Sequence, residues 1–248
     1  ADEQMALVPQ SATVQPIYRH SYTADYLLLE RGGTKNCFQS VRDITFSPDN
    51  RTLAYCKDNN LYLYSIGTNK HTAVTTDGQW NKIINGTSDW VYEEEYGFTQ
   101  AYAFSPDGAK IAYLRFDESA VPTFEMMRFD DKLYNKAYSF KYPKAGDCNS
   151  KVELWIYDIA TQSKQNVDVG SNSDQYIFNL YWTAAGELTF YRVNRLQNHF
   201  EVVLQRADGT QKVIYNEQSD RYVERPSRST ITFIDSERFI VLAETTTG

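Results

Sequence analysis

A repeated turn motif is the feature that most limits the folds open to this chain. The segment Phe46-Ser47-Pro48-Asp49-Asn50, followed by apolar residues 53–55, recurs as Phe104-Ser105-Pro106-Asp107-Gly108, followed by apolar residues 111–113. A degenerate third copy begins at Trp182. Proline fixes φ at the second turn position, and asparagine or glycine closes a tight hairpin. Each copy therefore predicts an aromatic residue at the end of one strand, a hairpin turn and a second, apolar strand.

Further strand-like segments follow each copy, which gives four short antiparallel strands per unit. Aromatic residues make up 15% of the 248 residues, with 19 Tyr and 13 Phe, and such residues favour strands. Four-stranded units that repeat along a chain are typical of β-propeller blades. The sequence thus predicts an all-β fold, a partial β-propeller of three full blades with flanking strands.

The spacing of the repeats indicates two insertions. The aromatic anchors Phe46, Phe104 and Trp182 lie 58 and 78 residues apart, whereas a blade needs roughly 40–50. An open set of blades leaves sheet edges unpaired, so we expect the chain to be an excised part of a larger protein. The predicted organisation is the end of a preceding blade (1–37), a blade (38–75), a linker with a short helix (76–98), a blade (99–170) with an arm inserted at 118–150, a blade (171–217) and the start of another (218–248).

The most informative chemical feature is the Glu motif, Asp89-Trp90-Val91-Tyr92-Glu93-Glu94-Glu95. Asp89 is a candidate N-cap, and the glutamates would then lie in a short helix that the two aromatic residues anchor to a core. Adjacent carboxylates repel one another, so they favour basic neighbours, open solvent or a cationic ligand such as a protonated amine. The alternative is a solvated acidic turn. Glu93 is expected to point away from Glu94, towards the helix cap or the solvent.

Several classes of function are disfavoured. A net charge of −7 without a basic stripe argues against nucleic-acid binding. The sequence contains no run of about 18 apolar residues, so no membrane span is predicted. The three cysteines and three histidines show no metal-ligand spacing, so neither a metal site nor a cofactor is predicted. No G-x-S-x-G element is present, so no catalytic nucleophile is predicted in this segment.

Five segments together carry a family resemblance over nearly the whole chain. In sequence order they are Arg19-His20-Ser21-Tyr22-Thr23-Ala24, the Glu motif, Phe104-Ser105-Pro106-Asp107-Gly108, Tyr142-Pro143-Lys144-Ala145-Gly146 and Arg192-Val193-Asn194-Arg195-Leu196-Gln197-Asn198. They closely resemble the N-terminal propeller of dipeptidyl peptidase IV, a serine peptidase of the prolyl oligopeptidase family. The resemblance implies an exopeptidase that releases N-terminal dipeptides with proline or alanine second. It also implies a separate α/β-hydrolase domain that carries the catalytic Ser, Asp and His, so this segment alone should be inactive.

The resemblance also implies a set of site residues and partners. Glu94 and Glu95 would hold the free α-amine of a peptide substrate, and Arg19 would contact a substrate carbonyl. Residues 122–146 would form an arm for homodimerisation, the alternative being a hairpin packed on its own blade. The protein would be a bacterial one exported to the periplasm or cell surface. Arg225-Pro226-Ser227 is preceded by Tyr222-Val223-Glu224 rather than by the family's usual substrate contacts, so no role is carried over to residues 222–225.

Two other interpretations stay open. Related enzymes that release tripeptides share the propeller, so the chain is alternatively the propeller of a tripeptidyl peptidase. It is otherwise a non-catalytic propeller that serves as an interaction scaffold. The Glu motif speaks against the scaffold, since binding to other proteins gives no reason to place three glutamates beside two aromatic residues.

Overall fold

Successive antiparallel sheets follow one another along the chain. The computed structural model describes residues 4–129, 133–235 and 238–243. Within these ranges one α-helix, α1 (Trp90–Tyr96), interrupts the strands, and no helix has the length and apolar character needed to cross a bilayer. The predicted all-β fold is confirmed. The strands are β1 (Met5–Pro9), β2 (Gln15–Pro16), β3 (Tyr22–Glu30), β4 (Gly33–Phe46), β5 (Thr52–Lys57), β6 (Asn60–Ser65), β7 (Lys70–Ala73), β8 (Ile83–Asn85), β9 (Tyr102–Phe104), β10 (Lys110–Asp117), β11 (Thr123–Arg128), β12 (Lys136–Lys141), β13 (Lys151–Asp158), β14 (Lys164–Val167), β15 (Gln175–Trp182), β16 (Leu188–Asn194), β17 (His199–Gln205), β18 (Gln211–Gln218), β19 (Ile231–Phe233) and β20 (Phe239–Val241).

The first sheet has seven strands, and the pairing of its longest strand is irregular near two residues with a positive φ. Its order is β1-β3-β4-β5-β6-β7, with β2 beside β3. β4 pairs with β3 and then with β5, and its register shifts near Ser40 and Asp43, which both have a φ of 52°. Extra residues of this kind bend a strand. Because β4 is continuous, the segments 1–37 and 38–75, which the repeat spacing assigns to two blades, share one sheet.

The second sheet contains an edge strand in two pieces. β14, β13 and β10 are neighbours, and both β8 and β9 pair with β10, through Ile84 opposite Phe116 and Ala103 opposite Ala112. α1 lies in the chain between these two pieces. The segment 76–98, which the repeat spacing predicts as a linker, thus contributes β8 to the sheet, because its backbone groups find partners along β10 beyond the end of β9. The helix is therefore held at both ends by one sheet.

A four-stranded sheet and a final hairpin complete the described chain. β15, β16, β17 and β18 pair in sequence order, and β19 pairs with β20. The indole Nε1 of Trp182, at the end of β15, donates a hydrogen bond of 3.0 Å to the carbonyl of Ala103 in β9. This contact ties the third sheet to the second one beside the split strand.

The repeated turns owe their shape to local hydrogen bonds. The hydroxyl of Ser47 donates to Asp49 Oδ1 at 2.6 Å, and Ser105 donates in the same way to Asp107 at 2.6 Å. Asn50, which follows the first of these pairs, has a φ of 57°, a conformation that asparagine tolerates better than most residues. The turn chemistry in the sequence is therefore expressed directly in the structure.

The largest core cluster joins α1 to the second and third sheets. The Tyr92 ring is almost fully buried and meets the Phe116 ring edge to face, with centroids 4.9 Å apart. Its hydroxyl accepts a hydrogen bond of 3.0 Å from the backbone N–H of Ile177 in β15. Burial of one such side chain stabilises the fold by about 1.5–3 kcal/mol. The orientation of α1 is thus set by contacts with two sheets at once.

β11 and β12 form a separate two-stranded hairpin, the arm. The arm is attached at its base, where Trp80 Nε1 donates to the Ser139 carbonyl at 3.2 Å and Phe140 is buried. Beyond this base its large apolar side chains are exposed: Phe124, Met126, Met127, Phe129, Leu133 and Tyr134. Residues 130–132 of the predicted arm lie outside the described residues.

Candidate functional site

The helix of the Glu motif has a defined start and end. Asp89 Oδ1 accepts a hydrogen bond of 2.9 Å from the Tyr92 N–H, which makes Asp89 the predicted N-cap. Gly97 ends the helix at a φ of 69°, and its N–H donates to the Glu93 carbonyl. An N-cap of this kind stabilises a helix by about 1 kcal/mol, and glycine adopts the left-handed conformation without a steric cost. Local chemistry thus fixes which residues lie in this helix of nearly two turns.

The start of the helix also contacts a second motif of the sequence. The Trp90 ring lies against the Tyr142 ring, with centroids 4.1 Å apart. Asp89 Oδ2 accepts a hydrogen bond of 2.5 Å from the Ser150 hydroxyl. Asp89 is buried, and this burial raises the pKa of its carboxyl. Segments that follow the arm therefore hold the helix from its N-terminal side.

Glu118 is a second buried carboxyl group close to this helix start. It is 2% exposed, and its Oε2 has no hydrogen-bond partner among the described residues. Burial raises the pKa of Glu118 to about 8, and the charge of Asp89 adds to this effect, while the Lys141 ammonium opposes it. An acid in such surroundings is stabilised in its neutral form.

Glu93 is fully buried, contrary to the expectation that it points to the cap or the solvent. Its Oε1 accepts hydrogen bonds from the backbone N–H groups of His20 (2.7 Å) and Ser21 (2.9 Å). The expectation was wrong because a loop more than 70 residues away in the sequence covers this face of the helix. Helical spacing predicts only that Glu93 and Glu94 face different directions.

The Glu94 carboxylate lies beside the Arg19 guanidinium. The family resemblance assigns both residues to the binding of one substrate. The closest atoms, Glu94 Oε2 and Arg19 Nη1, are 3.8 Å apart. The Glu94 side chain is 19% exposed and the Arg19 side chain 74% exposed. Arg19 lies in the loop between β2 and β3, next to the two residues whose N–H groups bind Glu93. The structure thus brings one predicted glutamate and the predicted arginine together.

Glu95 lies beside an arginine to which no role was assigned from the sequence. Glu95 Oε2 is 3.4 Å from Arg225 Nη1, and both side chains are more than half exposed. Exposed ion pairs contribute about 0–1 kcal/mol to stability, so the pair of Glu95 and Arg225 is not held together strongly. Arg225 belongs to the Arg225-Pro226-Ser227 element, which was the signal in the sequence. Two arginines and two carboxylates therefore stand at one end of α1.

Comparison with known proteins shows the family of the chain. Residues 2–248 match the family model described as the dipeptidyl peptidase IV (DPP IV) N-terminal region. The chain belongs to this DPP IV family. It is 31% identical over 217 residues to dipeptidyl peptidase 4 of Trichophyton equinum, which covers 81% of the chain and 28% of that protein. It is 32% identical over 211 residues to the probable dipeptidyl-aminopeptidase B of Podospora anserina, which covers 75% of the chain and 22% of that protein.

Solved structures of DPP IV proteins have the same fold. The crystal structure of Porphyromonas gingivalis dipeptidyl peptidase 4 superposes with a TM-score of 0.91 at 35% identity, over 98% of the chain and 35% of that protein. A putative dipeptidyl aminopeptidase IV from Bacteroides ovatus has a TM-score of 0.73 at 24% identity and supports the fold alone. The resemblance seen in the sequence is confirmed. The chain spans about a third or less of the length of these DPP IV relatives.

Proposed function

We propose that the chain is the substrate-recognising propeller region of an exopeptidase that releases N-terminal dipeptides, with proline or alanine second. In this proposal Glu94 and Glu95 hold the α-ammonium of the peptide, and Arg19 donates to a substrate carbonyl. Membership of the DPP IV family supports the reaction, since relatives carry the names dipeptidyl peptidase and dipeptidyl-aminopeptidase. The observation that carries the residue assignment is the meeting of Arg19 with the Glu motif, across 75 positions of sequence.

The chemistry of the three side chains suits a peptide N-terminus. An ammonium has three donors and no acceptor, so two ionised carboxylates satisfy it, and charge-assisted hydrogen bonds are about twice as strong as neutral ones. A guanidinium supplies the matching donor for a carbonyl oxygen. The pair of Glu95 with Arg225 is exposed, and the pair of Glu94 with Arg19 is long, at 3.8 Å, with an exposed arginine. Neither arginine is bound tightly, so a substrate ammonium can replace an arginine at little cost.

Anchoring of the amine explains why such an enzyme would cut near the N-terminus. Binding energy at the ammonium fixes how many residues span the distance to the nucleophile. A blocked N-terminus would shield the two carboxylates without supplying a cation, and a desolvated charge without a partner is costly. Free and acetylated peptides should therefore differ strongly as substrates.

The partners belong to the same proposal. The nucleophile would be supplied by a C-terminal α/β-hydrolase domain of the same protein, in line with the share of the relatives that the chain spans. The exposed apolar residues of the arm are suited to burial in a homodimer interface. Export to the periplasm or the cell surface is proposed on the family resemblance.

The test uses the intact parent protein and chromogenic Gly-Pro or Ala-Pro substrates, free or N-acetylated. Glu94→Gln and Glu95→Gln should each lower kcat/KM by about 10- to 100-fold, since each weakens a charge-assisted hydrogen bond. Both substitutions should also reduce the ratio of kcat/KM for the free substrate to kcat/KM for the N-acetylated one. The matched control is Glu153→Gln, which alters an exposed pair with Arg115 on the second sheet (3.5 Å) and should leave kcat/KM unchanged.

Three outcomes would contradict the proposal in different ways. If both Glu94 and Glu95 variants match the parent protein, the amine is not bound there. Release of tripeptides rather than dipeptides would identify a tripeptidyl peptidase. If the intact protein cleaves no peptide, with or without a free N-terminus, the propeller is an interaction scaffold.

A further inference from the structure

The carboxylate of Glu93 binds backbone groups of the loop that carries Arg19. Its side chain is completely buried, and its Oε1 accepts hydrogen bonds from two successive N–H groups, those of His20 and Ser21. Its Oε2 is buried without a hydrogen-bond partner among the described residues. The pairing is long-range, since Glu93 follows His20 by 73 positions.

The loop between β2 and β3, residues 17–21, is held at its start by the arm, where the Tyr138 hydroxyl donates to the Ile17 carbonyl at 3.2 Å. It is also held by hydrogen bonds within itself. The Ile17 N–H donates to the Ser21 carbonyl at 2.9 Å, and the Tyr18 N–H donates to the Ser21 hydroxyl at 3.2 Å. These bonds close the loop on itself but do not tie it to α1. Within the described chain, the bonds from His20 and Ser21 to Glu93 are the backbone hydrogen bonds that link this loop to the helix. Arg19 immediately precedes them.

A buried carboxylate contributes little net stability to a fold. Transfer of a carboxylate from water is unfavourable unless it is fully paired, and an apolar side chain of similar size often serves stability as well or better. Glu93 has two backbone donors and one oxygen without a partner, so its pairing is incomplete. Its contacts do, however, set the backbone position of the loop relative to α1.

We propose that Glu93 is a positioning residue that fixes the loop 17–21 so that Arg19 stands beside Glu94. This inference rests on the proposed function, in which Arg19 and Glu94 bind substrate. Two neighbouring glutamates of one helix then have separate tasks. Glu93 holds the backbone of the loop from inside, and Glu94, about 100° further round the helix, faces the guanidinium that the loop presents.

The first test measures the freedom of the loop and does not depend on catalysis. Trypsin cleaves after Arg19 only when the loop opens locally. In the intact protein, Glu93→Ala should raise the rate of cleavage at the Arg19–His20 bond by about 10-fold or more, because the loop loses two charge-assisted hydrogen bonds. Glu93→Gln keeps a neutral acceptor and should give a smaller rise, and it serves if the alanine variant does not fold.

A second cleavage site separates a local effect from a general loss of stability. Arg206 lies at the turn after β17, and its side chain is 45% exposed. Cleavage at the Arg206–Ala207 bond, followed by mass spectrometry in the same digest, should stay at the rate of the parent protein. A rise only at Arg19 supports the proposal. Equal rises at both bonds, or none at Arg19, overturn it.

The second test asks whether Glu93 acts through Arg19. In the intact protein, Glu93→Gln should lower kcat/KM about 10-fold when Arg19 is present and should change it by less than about twofold in an Arg19→Ala background. Equal losses in both backgrounds would mean that Glu93 acts independently of Arg19 and would overturn the proposal. If Arg19→Ala alone leaves kcat/KM unchanged, the substrate role of Arg19 fails, and the trypsin result still decides whether Glu93 holds the loop.

Discussion

Glu118 provides a test of how the core around α1 responds to pH. Its carboxyl group is buried, and burial raises its pKa from 4.5 to about 8. The nearby charges of Asp89 and Asp117 act in the same direction, whereas Lys141 and a backbone hydrogen bond from Asn81 oppose them. The substitution Glu118→Gln replaces this group by a neutral one of nearly the same shape.

The direction in which pH changes the free energy of unfolding follows from proton binding. An acid whose pKa is higher in the folded state binds its proton more tightly when folded, so its stabilising contribution is complete below its unfolded pKa and is lost as the pH rises through its folded pKa. For Glu118 this window runs from 4.5 to about 8. At about 1.36 kcal/mol per pKa unit, the full change in the free energy of unfolding is roughly 4–5 kcal/mol. Glutamine does not titrate, so the variant escapes this loss.

The assay compares melting temperatures of the intact protein and its Glu118→Gln variant from pH 5 to pH 9. The melting temperature of the variant should rise steadily relative to that of the parent protein as the pH rises. Each kcal/mol of free energy of unfolding corresponds to roughly 2–4 °C in a region of this size. The control is Glu217→Gln, which replaces another buried carboxylate, one that accepts a hydrogen bond from the Tyr215 hydroxyl at 2.8 Å. A difference that does not change with pH, or that favours the variant more at acid pH, would show that Glu118 does not contribute this pH dependence.

Two substitutions test the packing that positions the helix and the split strand. Tyr92→Phe should lower the free energy of unfolding by about 1–3 kcal/mol, because the buried Ile177 N–H loses its acceptor. Hydrogen exchange at the Ile177 amide should accelerate, and unchanged protection would contradict this contact. Gly78→Ala should destabilise by about 1–3 kcal/mol, since a Cβ there would lie 2.4 Å from the Asn59 carbonyl oxygen. The control Gly67→Ala has open space around the new methyl group, so equal melting temperatures for the two alanine variants would rule out the clash.

The elements that could be predicted from the sequence are those formed by neighbouring residues. The hydroxyl-to-carboxylate contacts of Ser47 with Asp49 and of Ser105 with Asp107 span two positions each. The cap of α1 spans three, from Asp89 to Tyr92. Such contacts depend mainly on the local sequence. For this reason the turns, the start of the helix and the all-β class could be predicted from the sequence.

Only some of the site residues could be predicted from the sequence. The family resemblance assigns both Arg19 and Glu94 to the substrate, but no local pattern predicts that these residues, 75 positions apart, lie beside each other. The sequence assigns no role to Arg225, although its Nη1 lies 3.4 Å from Glu95 Oε2 across 130 positions. The linker predicted at 76–98 contains β8, since strand pairing depends on where β10 offers free backbone groups.

The repeated turns, the capped helix of the Glu motif and membership of the DPP IV family all follow from the amino-acid sequence. Long-range packing, in contrast, buries Glu93 under the loop that carries Arg19 and Glu118 next to Asp89. The physical reason is that a helical or strand pattern sets the relative directions of side chains. Which of those directions faces water depends on distant segments that pack against it.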